Sequence, residues 1–279
     1  NASIETKADR FSIYCPFFSS ESKNIDVTET IIEKNQRMLL NEVWGIARFQ
    51  YEAMNPRPFK MVDFKPVQIQ NVSLDDYISM RQNFTLTEWI DCLINTLGLN
   101  PNSYATVREK IYIVARLAPY VEMNYNLIEM GPKATGKSYL HKNVSTHNHV
   151  IGGGTITRAQ LFYNLRTKMK GILFSNDVVA FDDFSNINVD KPNEVIGKLK
   201  NYMADGIIDV GAFKERARSS IVIMGNIYLD INGNPRERFY FKNLPEQMQE
   251  SAFLDRLAGF IPGWKLKPVQ HQDLSSNYG

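Results

Sequence analysis

Apolar and polar positions follow two different textures along the 279 residues. The first 24 are polar with an aromatic patch (Phe11, Tyr14, Phe17, Phe18) and show no clear period. Ile31, Ile32, Met38 and Leu39 form a stripe at helical spacing, which predicts a helix over 26–40. Residues 43–51 and 59–69 read as strands on either side of the turn signal Asn55-Pro56-Arg57-Pro58, and so as a hairpin with a longer loop. A short helix over 73–80 follows. Thr85-Leu86-Thr87-Glu88 is a capping-box pattern opening another helix, with Gly98 beyond its end. A longer helix is expected over 103–118, stopped by Pro119.

From Asn124 the chain alternates strand, loop and helix. Short apolar runs at 127–130, 149–151, 177–181 and 220–224 predict strands, with helices at 160–170 and 193–203 between them. Buried runs separated by helices argue for a parallel sheet covered on both faces. The expected architecture is α/β: a P-loop NTPase core over 123–279, preceded by a smaller α+β region over 1–122 that is mostly helical with a β hairpin.

Composition narrows the class. Of the residues, 43% are hydrophobic and 22% charged, and 32 Lys+Arg against 30 Asp+Glu give a net charge of +2. That excludes a polycation and an acidic tail protein but leaves room for a local basic site. Cys15 and Cys92 have no CxxC spacing, which excludes a zinc finger or disulfide scaffold and fits a reducing cytoplasm. His147-Asn148-His149 reads as a polar turn more readily than as metal ligands. No apolar run is long enough for a membrane span, and no signal peptide is evident. The opening Asn1-Ala2, without Met, reads as a piece of a longer protein.

The chemistry concentrates after the first strand of the alternating region. Gly131-Pro132-Lys133-Ala134-Thr135-Gly136-Lys137-Ser138 matches G-x-x-x-x-G-K-[ST] at every fixed position. Such a segment leaves a strand, wraps its N–H groups around a phosphate and enters a helix whose N-terminus favours the anion. Lys137 is expected to reach the β- and γ-phosphates of ATP, and the Ser138 hydroxyl to ligate Mg²⁺. Asp182, closing Val178-Val179-Ala180-Phe181, supplies the second magnesium anchor, and Asp183 is placed to orient or deprotonate the attacking water.

Three further features carry a functional reading beside a bland one. Asn226 ends the fourth strand and resembles the sensor-1 residue of AAA+ ATPases; otherwise it is a turn Asn. Arg256 in Phe253-Leu254-Asp255-Arg256-Leu257 resembles the AAA+ finger that reaches a neighbour's nucleotide; otherwise it is a surface Arg paired to Asp255. Residues 206–218 read as strand, turn and return strand. Hairpins at this place in AAA+ helicases project into a central pore, where Lys214, Arg216 and Arg218 would meet DNA phosphates; otherwise this is a solvated hairpin.

Taken in order, Asn126-Leu127-Ile128-Glu129-Met130-Gly131-Pro132-Lys133, Gly152-Gly153-Gly154-Thr155, Leu161-Phe162-Tyr163-Asn164, Met224-Gly225-Asn226-Ile227 and Pro262-Gly263-Trp264 resemble the BrxL family, the Lon-like AAA+ proteins of bacterial and archaeal BREX phage-defence systems. Trp44-Gly45-Ile46, Lys65-Pro66-Val67-Gln68 and Glu88-Trp89-Ile90-Asp91 are similar to the same family, so the resemblance runs from about 30 to 265. It implies an AAA+ ATPase core related to the MCM helicases, a homo-oligomeric ring, duplex DNA through the ring pore, and other BREX components as partners. Asp183 stands where that family usually carries Glu. The family's Lon-protease-like region lies beyond the ATPase core, and no Ser–Lys dyad can be assigned in this chain. An ATP-driven motor on DNA is therefore expected first. An ATP-dependent protease or unfoldase, with Phe213 as its aromatic pore residue, comes second, and a nucleotide-gated scaffold third.

Overall fold

The computed structural model describes residues 3–7, 10–14, 25–34, 45–55, 58–66, 73–211 and 213–275. These fall into two compact units, residues 1–74 and 75–279.

The first unit is built on a five-stranded sheet. Strands β1 (Ser3–Lys7), β2 (Arg10–Tyr14), β3 (Ile25–Val27), β4 (Gly45–Tyr51) and β5 (Phe59–Pro66) lie in the order β1-β2-β3-β5-β4. The expected hairpin is present: β4 and β5 pair antiparallel from Gly45↔Pro66 to Tyr51↔Phe59, with an irregularity at Arg48/Phe49. The expected helix over 26–40 begins later. Asp26 lies in β3, between buried Ile25 and Val27, and helix α1 runs Glu29–Lys34. A three-residue strand that alternates buried and half-buried positions is too short to show a period. Ile13, Ile25, Val27, Ile31, Ile32 and Met61 form one core. Residues 35–44 and 67–72 lie outside the description, as do Cys15, Phe17, Phe18 and Pro56-Arg57, and with them parts of the segments read above as helix, strand and turn.

The second unit opens with helices α2 (Leu74–Arg81), α3 (Leu86–Thr96), α4 (Val107–Ala115) and α5 (Ala118–Val121). The capping box at α3 forms as expected: Thr85 N–H donates to Glu88 and Glu88 N–H donates to the Thr85 hydroxyl. Gly98 follows with φ +75°, a left-handed conformation natural to glycine. A second box, Thr106 with Glu109, starts α4 later than expected, and Pro119 sits in the first turn of α5 rather than stopping a helix. Ile90, Ile94, Tyr104 and Ile113 from this segment pack with Leu140 and Leu266 from the α/β part. That shared core moves the boundary between compact units to 74/75, away from the expected 122/123.

The α/β part holds the parallel sheet. Its strands are β6 (Leu127–Gly131), β7 (Asn148–Ile151), β8 (Val178–Asp182), β11 (Ser220–Asn226) and β12 (Gly259–Pro262), after a separate hairpin of β9 (Ile207–Asp209) and β10 (Lys214–Arg216). Across the sheet the order is β12-β6-β11-β8-β7, every neighbouring pair parallel. All five residues of β6, four of β8 and six of β11 are buried, as strands covered on both faces require. Helix α6 (Lys137–Asn143) follows β6, and α7 (Pro192–Asp205) precedes the hairpin.

One expectation fails here, and one strand of the sheet was not foreseen. The helix over 160–170 is a single turn, Arg158–Leu161, followed by two-residue strands at 163–164 and 169–170. Asn164 Oδ1 accepts from the N–H groups of Arg166 and Thr167, a local turn that competes with helical bonding. Strand β12 is absent from the sequence reading, because four residues bounded by Gly259 and Pro262 carry little strand signal.

Gly131 and Gly263 let β6 and the turn after β12 touch. A Cβ on Gly263 would stand 2.9 Å from Glu129 Oε1 and 3.1 Å from Gly131 Cα, whereas one on Gly197, inside α7, would meet nothing within 4 Å. Gly263→Ala is expected to lower unfolding stability by about 1–3 kcal/mol. Gly197→Ala is expected to raise it by about 0.5–1 kcal/mol. Urea midpoints of the two variants check both signs.

Candidate functional site

The carboxyl ends of β6, β8 and β11 converge on a cavity of ≈ 500 Å³. Its walls include Lys133 to Tyr139, Gly152, Gly153, Asp182, Asp183, Asn186 and Asn226. The loop leaves β6 at Gly131, adopts left-handed φ at Ala134 (+66°) and Gly136 (+78°), and enters α6 at Lys137. A side chain is unusual at the first of these positions, and Ala is the smallest that carries a Cβ.

Lys137 is buried, and its Nζ donates to the carbonyls of Gly131 (3.0 Å) and Pro132 (2.6 Å). Burial lowers its pKa and Glu129 opposes that shift. The Ser138 hydroxyl donates to Asp182 Oδ1 at 2.7 Å, so the two expected magnesium ligands meet. A hydroxyl and a carboxylate oxygen are hard donors of the kind Mg²⁺ prefers, and the loop supplies a strand-to-helix cradle for phosphates, so the residues fit a magnesium nucleotide.

Asp183 has φ +56° and leads into a turn. Its Oδ1 accepts from Ser185 Oγ (2.8 Å), and its Oδ2 accepts from Asn186 Nδ2 (2.7 Å) and Asn226 Nδ2 (3.0 Å). Asn226 ends β11, between the loop strand and the acid-bearing strand, and so is held in the site rather than in a free turn. Sequence reasoning missed Ser185 and Asn186, which look like ordinary loop residues until the turn at Asp183 folds them back.

It also missed the pair behind the loop. Arg116, at the end of α4, and Glu129, in β6, are both fully buried. Arg116 Nε donates to Glu129 Oε2 (2.9 Å), and Nη2 donates to Glu129 Oε1 (2.6 Å) and to the Thr135 carbonyl (3.1 Å). A Glu inside the apolar run Leu127-Ile128-Glu129-Met130, and an Arg three residues after buried Ile113, were the available signals. Removing one partner of such a pair strands a charge, at a cost of about 3–5 kcal/mol.

Other expected residues stand apart from the cavity. Arg256 lies beyond the short helix Ser251–Leu254 and donates to the Ala252 carbonyl rather than to Asp255. In the hairpin, Lys214 pairs with Asp209 (3.5 Å), Arg216 donates to the Asp205 carbonyl (2.6 Å), and Arg218 is exposed. Ala212 lies outside the description. Phe213 is not a free tip: it stacks on Tyr163 with ring centroids 4.0 Å apart. Among the described residues no group of three or more His, Cys, Asp or Glu is placed to hold a metal, and no helix is long and apolar enough to cross a membrane.

On the buried face of α6, His141 is fully buried and its Nδ1 lies 2.8 Å from Tyr120 Oη, an oxygen that accepts from Asn148 Nδ2. Burial, with the Arg116 charge adding to it, pushes the His141 pKa down to about 3. An unfolded His titrates near ~6.5, so below that pH the unfolded chain takes up a proton that the folded one refuses. Stability therefore falls as pH drops, by at most ~1.4 kcal/mol per unit, until about pH 3. His141→Asn should partly flatten the fall of the urea midpoint between about pH 6 and 4, where its imidazole resists protonation, as does that of His149, whose pKa burial also lowers.

The family model described as "Lon-like protease BrxL-like, ATPase domain" matches residues 59–279. The chain is 32% identical over 277 residues to the Lon-like protease BrxL of Bacillus cereus (strain H3081.97), covering 97% of this chain and 41% of that protein. It is 30% identical over 260 residues to the Lon-like protease BrxL of Escherichia coli O9:H4 (strain HS), covering 92% and 37%. The chain thus spans about two fifths of the length of these curated relatives.

Proposed function

The chain belongs to the Lon-like BrxL family through its ATPase domain, and from that premise we propose that it binds and hydrolyses MgATP at 131–138 as an AAA+ ring motor acting on duplex DNA in BREX phage defence. The observation that carries the nucleotide reading is the 2.7 Å contact of Ser138 with Asp182 beside the phosphate loop. The sheet order β12-β6-β11-β8-β7, with an Asn-bearing strand between loop strand and acid strand, supports the AAA+ assignment.

In this reading Gly131, Pro132, Lys133, Ala134, Thr135 and Gly136 form the cradle, and Lys137 exchanges its two loop carbonyls for β- and γ-phosphate oxygens. Mg²⁺, held by Ser138 and Asp182, would neutralise charge developing on those oxygens. Asp183 takes the proton of the attacking water, and Asn226 orients that carboxylate. Arg256 acts on the nucleotide of a neighbouring copy, which accounts for its position outside its own cavity. Lys214, Arg216 and Arg218 offer positive charge to DNA phosphates without base specificity. The relatives are named Lon-like proteases, which makes a protease the second reading; the stacking of Phe213 on Tyr163 favours the motor over it.

Lys137→Ala in the full-length protein is expected to lower MgATP turnover roughly 100- to 1,000-fold, as loss of one transition-state donor does. Unchanged turnover in a steady-state phosphate-release assay would sink the site assignment. Replacing Lys214, Arg216 and Arg218 together by Ala should weaken duplex binding in a salt titration while basal ATP turnover persists. DNA affinity equal to wild type at every salt concentration would remove the hairpin from the DNA path.

A further inference from the structure

A phosphate loop works only if its N–H groups face the anion, and therefore only if its carbonyls face away. In a trans, planar peptide the C=O and the following N–H point in opposite directions, so fixing one fixes the other. Here two successive carbonyls are fixed from behind. The Ala134 carbonyl accepts from Val269 N–H at 2.8 Å, and the Thr135 carbonyl accepts from Arg116 Nη2 at 3.1 Å. The N–H groups of Thr135 and Gly136 are thereby turned to the opposite side of the loop. The Ala134 left-handed φ belongs to the same turn, in which successive N–H groups form an anion-binding concavity.

We propose that Arg116 is a positioning residue for the nucleotide phosphates: clamped by Glu129, it holds the Thr135 carbonyl out of the cradle and so presents the Gly136 N–H to the phosphate chain. The inference rests on the nucleotide reading above and assigns a role to a side chain that touches no substrate. Three observations carry it. Arg116 is completely buried, so its position is set by the protein alone. Its fork is split between the Glu129 carboxylate and a loop carbonyl, which makes Glu129 the anchor and Thr135 the object held. Its remaining nitrogen, Nη1, has no protein partner and would lie 3.8 Å from a Cβ on Gly136, so the guanidinium stands beside the residue whose N–H it orients.

Stability alone does not explain the pair, because an apolar pair of similar volume commonly holds a fold as well as a buried ion pair does. What an apolar pair cannot do is donate to the Thr135 carbonyl. The electrostatic side is consistent: Glu129 and Arg116 act on Lys137 in opposite directions, so the pair brings little net charge to the site and its contribution is geometric.

The test uses the full-length protein and two double variants, Arg116→Met with Glu129→Leu, and Arg116→Leu with Glu129→Met. Each removes the fork without stranding a charge. Thermal unfolding establishes which of them fold. Calorimetry then compares MgATP, MgADP and AMP, and steady-state turnover gives kcat and KM. A folded variant is expected to lose affinity for MgADP and MgATP, to keep its AMP affinity, and to fall roughly 100-fold in kcat/KM, the scale of a displaced but present catalytic group. Unchanged MgADP affinity and kcat/KM in either folded variant overturn the positioning role while leaving the nucleotide site standing. A loss equal for AMP, MgADP and MgATP also overturns it, since that marks general damage. Wild-type protein that binds no magnesium nucleotide overturns the parent reading and this one together.

Discussion

A hydroxyl and a carboxylate meet 2.7 Å apart because two parallel strands end at the same edge of one sheet. Everything else in the α/β unit serves that coincidence. Strand β6 must deliver the chain to a loop tight enough to place Ser138 on the first turn of α6. Strand β8 must stop one residue after its last buried position, so that Asp182 emerges while Phe181 stays inside. Strand β11, between them, sets the separation through its own packing and ends in the amide that contacts Asp183. The buried runs 178–181 and 220–225 are the structural cost of that alignment, since neither strand has a solvent face to spare.

How much of this was legible depended on whether the signal was local. The phosphate loop, the acid after an apolar run, the capping box at Thr85 and the β4–β5 hairpin all write their geometry into a few consecutive residues. The first three strands were not legible. Three to five residues cannot establish a period, and the partner that buries β3 is β5, more than thirty residues away in the chain. The packing of the helical segment 75–121 was not legible for a related reason. Its apolar stripe announces that it packs on something, and only the contact of Ile90, Ile94 and Ile113 with Leu140 and Leu266 says on what.

The same distinction runs through the site. Asp183 could be assigned a task from its position after Asp182, whereas Ser185 and Asn186 could not, because their partnership depends on a left-handed turn at Asp183 that few non-glycine residues adopt. Arg116 and Glu129 were each visible as a charged residue in an apolar context. Sequence carries no indication that they face one another across thirteen positions, or that the third contact of the fork is a loop carbonyl.

The back-to-back glycines have an evolutionary corollary. Gly131 is required by the phosphate loop, and Gly263, on a turn remote in the chain, must remain without a side chain because the first has no room to yield and Glu129 crowds it from the other side. Substitutions at 263 are thus policed by a motif that does not contain it. Lineages of this domain should accept change on the exposed surface of α7 long before they tolerate a single methyl group in that turn.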